Sequence, residues 1–379
     1  MKVLLVGEYS RLHNTLKEGL KDLGHEVTII GNGDGFKKYP VDIDISNTIL
    51  SLKLLKPFRK LVHRLFKFDF ADVETWFRFK KQLQSLKGFD VVQLINEDAL
   101  SIHPKLQIPL LKQLFSQNDK IFLLCSGEDH VTINHYINGK ERYSVLTPLL
   151  QDKSLKKHFS YSLKYLSPPY QRLHNFIYDS IKGVIATDLD YHLPLKNHPK
   201  YLGLIPNPVN TDSINYSGLT IEGPIKIFHG VNKLSAIKKG SEIISKALNK
   251  IKDKYGDKVK VITVSNVPYK EYIKLYDSAH ILMDQTYGFD QGYNALEGMA
   301  KGKVVFTGAE QEWLEYYNLK KDTVAINALP VEEKIVEKLE WLINNPEQIA
   351  IISKNARQFI EKEHHFVKSA KKYVSQYSK

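Results

Sequence analysis

Between Gly288 and Val305 the chain reads Gly-Phe-Asp-Gln-Gly-Tyr-Asn-Ala-Leu-Glu-Gly-Met-Ala-Lys-Gly-Lys-Val-Val. Its first glycines make a loop that runs into a short helix, Gly302 stops that helix, and Val304-Val305-Phe306 follows as a buried strand. The opening amides of a helix have no intrahelical partner, and the helix dipole adds positive potential at the same end. The backbone around Gly292, Tyr293 and Asn294 therefore suits a phosphate. Glu297, further along, is placed to accept hydrogen bonds from neutral hydroxyls such as those of a ribose. Phosphate together with ribose means a nucleotide.

A second anion seat lies upstream. His229-Gly230-Val231-Asn232-Lys233 follows an apolar run, and Lys238-Lys239-Gly240 leads into a helix. Cations beside a helix N-terminus suit a diphosphate, whereas the bland alternative is a solvated helix start in a lysine-rich chain. Tyr269, after Ser265-Asn266-Val267-Pro268, could stack on a nucleobase or simply pack. In Gly7-Glu8-Tyr9-Ser10 the serine reads first as an N-cap, with contact to donor phosphate or acceptor as the functional alternative. That loop is no Gly-x-Gly-x-x-Gly fingerprint, so dinucleotide binding is set aside. Ser126-Gly127-Glu128-Asp129-His130 ends another strand, and Asp129 and His130 are candidates for acceptor binding or for an electrostatic role at the reacting centre. His364-His365 lacks accompanying cysteines or a clear third ligand, so no metal site is expected there.

The Gly288–Val305 segment resembles the signature of retaining GT-B glycosyltransferases of the family-4 kind (glycosyl transferases group 1). In that family two glutamates with seven residues between them precede Ala-Met-Ala and a Gly-x-Pro-Val turn. Glu297 matches the second glutamate, and Gly298-Met299-Ala300 with Gly302-Lys303-Val304-Val305 matches the remainder. The first glutamate is replaced by Phe289, with Asp290 one place later. The resemblance implies an α/β chain of two Rossmann-like, doubly wound domains facing a cleft, and a nucleotide-diphosphate sugar as donor. It implies ribose binding by Glu297, donor-sugar binding by Asp290, and diphosphate binding by Lys233 and Lys239 with the amides near Gly292 and Tyr293. It also implies no metal or other cofactor, and a glycan or lipid-linked acceptor in cell-surface polysaccharide synthesis.

The elements that must position these groups can be read from the pattern. A chain of 379 residues exceeds what one core usually organises. Val3–Val6, Val27–Ile30, residues 90–95, Ile121–Leu124 and Gly183–Ala186 are branched runs bounded by turn formers, alternating with helical spacing such as Leu12, Leu16 and Leu20. Strands alternating with helices predict parallel sheets, whose ligand sites lie at the carboxyl ends of the strands. Ile205-Pro206-Asn207-Pro208 rules out helix and opens a polar linker, after which the alternation restarts at Ile225. The expected division is residues 1–207 on the acceptor side, 208–362 for the nucleotide sugar, and 363–379 as a helix crossing back to the first domain.

Composition narrows the class further. The formal charge is +12 at pH 7, and residues 51–88 hold ten Lys or Arg against three acids. Leu61, Val62, Leu65 and Phe66 share one helical face, while Arg59, Lys60, His63, Arg64 and Lys67 mark the other. A basic amphipathic helix followed by Phe68, Phe70, Trp76, Phe77 and Phe79 is what an interfacial element looks like, so residues 51–82 are a candidate contact with an anionic membrane surface. No apolar run reaches the ~18 residues of a membrane span, and Cys125 is the only cysteine. A reducing cytoplasm, with peripheral attachment to the inner face of the cell membrane, is the expected setting. Charge without a reading motif argues against nucleic acid. Two rivals are a GT-B sugar-nucleotide 2-epimerase, which needs no acceptor, and a catalytically silent glycan- or membrane-binding relative, kept open by the missing glutamate.

Overall fold

The computed structural model describes residues 1–66, 68–216 and 218–379; Lys67 of the expected basic face lies outside them. Continuous apolar runs form strands here because helices cover both faces of a parallel sheet. One compact unit comprises Met1–Asn134, Ser160–Pro208 and Phe366–Lys379, and the other comprises His135–Phe159 and Val209–His365.

In the first unit seven strands are β1 (Lys2–Val6), β2 (Glu26–Gly31), β3 (Ile43–Asp44), β4 (Val91–Leu94), β5 (Lys120–Cys125), β6 (Gly183–Ala186) and β7 (Tyr201–Leu204). Their order is β3-β2-β1-β4-β5-β6-β7, with every neighbouring pair parallel. The sheet interior is Val3–Val6, Val91, Val92, Leu123, Leu124, Val184 and Ile185, all buried. Helix Phe366–Tyr377 packs on helix Leu12–Asp22. Gly19 permits the approach: a Cβ there would stand 2.6 Å from the Phe366 carbonyl oxygen. Further along, the buried Tyr377 hydroxyl donates to Gln93 Oε1 at 2.5 Å, and Gln93 in turn meets His13 at 3.2 Å.

The second unit is built on β8 (Ile225–Gly230), β9 (Val259–Val264), β10 (Ile281–Met283), β11 (Val304–Thr307) and β12 (Ile326–Asn327). The order is β12-β11-β10-β8-β9, again all parallel. Ile227, Ile281, Val304 and Phe306 meet Ile244, Leu248, Leu339 and Ile349 from the covering helices in one core.

This division differs from a single cut at residue 207, because residues 135–159 belong to the second unit. Side chains explain why. Arg142 donates to Glu310 at 2.9 Å and to Glu312 at 2.8 Å, the Tyr143 hydroxyl donates to Glu310, and the Tyr143 ring lies 5.4 Å from Phe289. These partners are more than a hundred residues away in sequence, beyond the reach of any local pattern. The change at the far end is smaller: residues 363–365 stay with the second unit and the final helix starts at Phe366. Among the described residues no helix is long and apolar enough to cross a membrane.

Candidate functional site

In the second unit the ends of β8, β10 and β11 bring one group of polar residues together. Helix Tyr293–Ala300 begins at Gly292, whose backbone is extended and which gives no side-chain cap. A glycine-bearing loop entering a helix in this way is a local geometry that suits an anion. Asn294, in that turn, is fixed in orientation: its Oδ1 accepts from the Tyr272 hydroxyl at 3.2 Å and its Nδ2 donates to Asp284 at 3.3 Å.

Asp284 is the hub. It follows β10, is buried, and accepts from Lys239 at 2.8 Å and from the Thr307 hydroxyl at 3.2 Å as well as from Asn294. It ties the Lys239 turn, the end of β11 and helix Tyr293–Ala300 into one piece. The sequence reading passed it over, although a single acid closing Ile281-Leu282-Met283 was a legible signal. Lys239 itself is a third exposed and held by this pair. Its turn is stapled by the Thr286 amide donating to the Lys239 carbonyl at 3.0 Å. Gly240 is left-handed, φ 66°, and a Cβ there would lie 2.1 Å from Thr286 Oγ1. Glycine at position 240 is therefore a steric requirement of the turn.

His229 ends β8 fully buried, and neither ring nitrogen has a hydrogen-bond partner among the described residues. Burial first, then the charge of Lys239, hold its pKa down to about 4, so the ring is neutral. Gly230 admits Tyr272, since a Cβ there would sit 2.7 Å from that ring. Burial, with the charges of Asp284 and Glu297, pushes the Tyr272 phenol up to about 12, so it stays a donor. Glu297 is half-buried on the same helix as Tyr293 and Asn294. Lys233 is exposed, and Tyr269 is 76% exposed at the start of helix Tyr269–Ser278, an open aromatic face.

Asp290 and Phe289 sit differently. Phe289 is fully buried beneath the Arg142 guanidinium, 5.2 Å away, and packs on Tyr143. Asp290 is buried too, and its Oδ1 accepts the Gln291 amide at 2.7 Å, so part of this carboxylate holds its own loop. A nearer surprise is Glu310, buried and gripped by Tyr143, Arg142 and Asn327.

In the first unit the ends of β1, β4 and β5 carry the remaining candidates. Ser10 is not the N-cap it was expected to be. Helix Leu12–Asp22 is preceded by Arg11 at φ 71° and has no side-chain cap. Ser10, at φ 51°, instead gives its amide to Asp34 at 2.9 Å and takes a hydrogen bond from Lys37 at 3.1 Å. Asp129 is fully buried: it accepts from Thr132 N and Oγ1, both at 2.8 Å, and from the Cys125 thiol at 2.9 Å. The helix start that follows claims this carboxylate. His130 is half-buried, with Nδ1 2.9 Å from the Tyr165 carbonyl and its ring 4.5 Å from that of His174.

The reading missed Asn96-Glu97-Asp98, which closes β4 and is buried throughout. Glu97 meets His174 at 2.7 Å, and Asp98 accepts from Lys164 at 2.8 Å beneath three tyrosine rings. Glu8, after β1, accepts from Asn14 N and Nδ2 at 2.9 and 2.6 Å, while its Oε1 is buried without a partner among the described residues. Burial pushes this carboxyl up to about 7. Two Asp-x-Asp pairs occur. Asp42 is taken by Lys17 and the Ile29 amide, and Asp188 caps helix Leu189–Leu195. Among the described residues no three His, Cys, Asp or Glu stand together as a metal ion would need.

Residues 234–375 match the family described as Glycosyl transferase-like. Solved structures share the fold over the whole chain. HepE of Anabaena, in complex with UDP and glucose, is 12% identical with a TM-score of 0.60, covering 100% of this chain and 99% of its own. Sucrose-phosphate synthase of Thermosynechococcus elongatus is 14% identical with a TM-score of 0.63, covering 100% and 98%. A glycosyltransferase of Rickettsia africae is 16% identical with a TM-score of 0.52, covering 99% and 97%. No curated protein matches the chain in sequence.

Proposed function

We propose that this chain, which has the GT-B fold of the glycosyltransferases, moves a sugar from a nucleotide-diphosphate sugar to a glycan or lipid-linked acceptor. The observation that carries the reading is the Asp284 hub. It joins a helix N-terminus without a side-chain cap, a lysine on a glycine-required turn and an oriented asparagine within one set of hydrogen bonds. The complexes of HepE with UDP and glucose support a UDP-sugar as donor.

In this reading the diphosphate rests on the amides of Tyr293 and Asn294, with Lys239 and Lys233 supplying positive charge. Glu297 takes the ribose hydroxyls, and Tyr269 offers a face to the base. Transfer with retention passes through an oxocarbenium-like centre, so the protein's task is to stabilise the departing diphosphate with donors already in place. Lys239, oriented by Asp284, reaches it without reorganisation. His130 is the acceptor-side candidate that keeps a partly exposed ring, while Asp129 serves through the helix start. Asp290 remains the proposed donor-sugar group.

We place the reaction in surface-glycan synthesis at the inner face of a membrane. Helix Lys56–Phe66 supports this: Val62 is buried, while Leu61 and Leu65 are more than half exposed, and Ile49, Leu52, Leu54 and Phe77 elsewhere in this stretch are exposed too. Exposed apolar side chains among cations suit an anionic lipid surface. Co-sedimentation with phosphatidylglycerol vesicles is expected, to be lost in Leu61→Ser/Leu65→Ser; vesicle binding unchanged by that pair sinks the membrane role.

The donor test uses thermal stabilisation and nucleotide release with UDP-glucose and other nucleotide sugars. At 100 times its dissociation constant a donor adds about 2.7 kcal/mol. Wild type should be stabilised and release free nucleotide slowly, and Lys239→Ala and Glu297→Ala should lose both. An isomerised sugar nucleotide without free nucleotide would mean an epimerase, and no stabilisation by any donor would refute the nucleotide site.

A further inference from the structure

A cavity of about 620 Å³ opens in the first unit beside the ends of β2 and β3 and the loop after β4, and none of the second-unit residues assigned to the donor lines it. That volume lies within the roughly 300–1,000 Å³ of small-molecule sites. We propose that it binds an uncharged saccharide, a sugar unit of the acceptor, by its hydroxyl rim and its C–H face. This rests on the glycosyltransferase reading for its role, but not for its chemistry.

The lining is hydrogen-bonding and nearly neutral. Asn32, Asn47 and Ser101 present amides and a hydroxyl, while Tyr39, Val41 and Leu100 offer an aromatic and apolar side. Amides and hydroxyls both donate and accept, as a polyol requires. The charged lining groups are Asp44 and Lys38, one of each sign. A diphosphate would call for several cations or a helix N-terminus, and a lipid tail for continuous apolar walls. Asp44 Oδ1 accepts the Ser46 amide at 2.7 Å, which aims the carboxylate and leaves it a second oxygen for a sugar hydroxyl.

Both walls are preformed. On one side Asp34 (φ 60°) and Lys38 (φ 50°) are left-handed without being glycine, as is Ser101 (φ 54°) in the loop after β4. Such backbone costs energy and persists where the surroundings over-determine it, often at ligand sites. Asp34 supplies that constraint through the Ser10 amide at 2.9 Å and Lys37 at 2.7 Å. On the other side buried Glu74 accepts from the amides of Thr48, Ile49 and Leu50 at 3.1, 2.9 and 2.7 Å. Arg78 donates to Glu74 at 2.8 Å and to Thr48 Oγ1 at 2.9 Å. A rigid polar pocket spares a ligand the cost of ordering it.

The experiment is binding of maltotriose, cellotriose, mannotriose and N-acetylchitotriose to the full chain, by saturation-transfer NMR and calorimetry, with trigalacturonate as the charged comparison. UDP-glucose binding is measured in parallel. At least one neutral trisaccharide should bind. Asn47→Ala and Asp44→Asn should each weaken it by about tenfold, equivalent to 1.4 kcal/mol, and leave UDP-glucose affinity unchanged. Asp44→Asn keeps the acceptor for Ser46, so loss of binding there reads the ligand and not the fold. UDP-glucose binding without any trisaccharide binding overturns the pocket and spares the donor site. Trisaccharide binding without UDP-glucose binding does the reverse. Preference for trigalacturonate, or affinity indifferent to both variants, overturns the proposal.

Discussion

Replacing Glu8 by glutamine should make the protein more stable at pH 8 and leave it nearly unchanged at pH 4. Glu8 is 1% exposed, and only its Oε2 is engaged, by two donors of Asn14. Burial is the leading cause that raises its pKa from 4.5 to about 7, with the nearby Asp34 charge adding to the rise. The folded state therefore holds a proton that the unfolded state has released above pH 4.5. The unfolded state binds fewer protons through this window, so stability falls as pH rises from about 4.5 to 7 and stays low above it. At 1.36 kcal/mol per unit, the shift corresponds to roughly 3 kcal/mol. Glutamine keeps an acceptor for Asn14 and never ionises, so Glu8→Gln should recover most of that amount at pH 8, less the cost of its own buried amide. In a unit of this size the gain is roughly 5–10 °C in Tm. The assay is urea or thermal unfolding of both proteins from pH 4 to 8, with the difference between them as the readout, because burial also raises the Glu97 carboxyl and that contribution cancels in the difference. A difference flat with pH, or growing toward acid, refutes the reasoning.

Asp284→Asn removes the charge that aims Lys239 and leaves the second carboxylate acceptor replaced by an amide. Because Lys239 is a third exposed, solvent screening discounts the ion pair, and a loss of about 1–3 kcal/mol is expected by urea unfolding. UDP-glucose affinity should also fall, and an affinity equal to wild type would detach Asp284 from the donor site. Gly19→Ala puts a methyl 2.6 Å from the Phe366 carbonyl oxygen, so the last helix must shift. About 1–3 kcal/mol of stability should be lost, with faster amide exchange in residues 366–377; unchanged exchange there would show that the helix is held elsewhere.

Several elements were legible because local sequence decides them. Gly183–Ala186 forms a strand with the expected ends, since branched apolar runs between turn formers have few other uses. Short strands Ile43–Asp44, Tyr201–Leu204 and Ile326–Asn327 were not foreseen: each is too brief or too mixed to signal itself, and each exists because a neighbour offers a pairing edge. The helix start at Gly292 and the turn at Gly240 were visible for a similar local reason, as glycine marks left-handed backbone that Thr286 also crowds at Gly240.

What the sequence by itself determined, then, was the alternation of strands and helices and the local backbone around Gly292 and Gly240. Both follow from interactions within a few residues. Only the tertiary structure decided which carboxylates work at a distance. It joined Asp284 to Lys239 across 45 residues, spent Asp129 on its own helix start, and carried residues 135–159 into the second unit, where Arg142 and Tyr143 hold Glu310. A charged side chain pairs with whatever the fold places within about 3 Å, and that neighbour is chosen by packing, which spacing along a chain does not record.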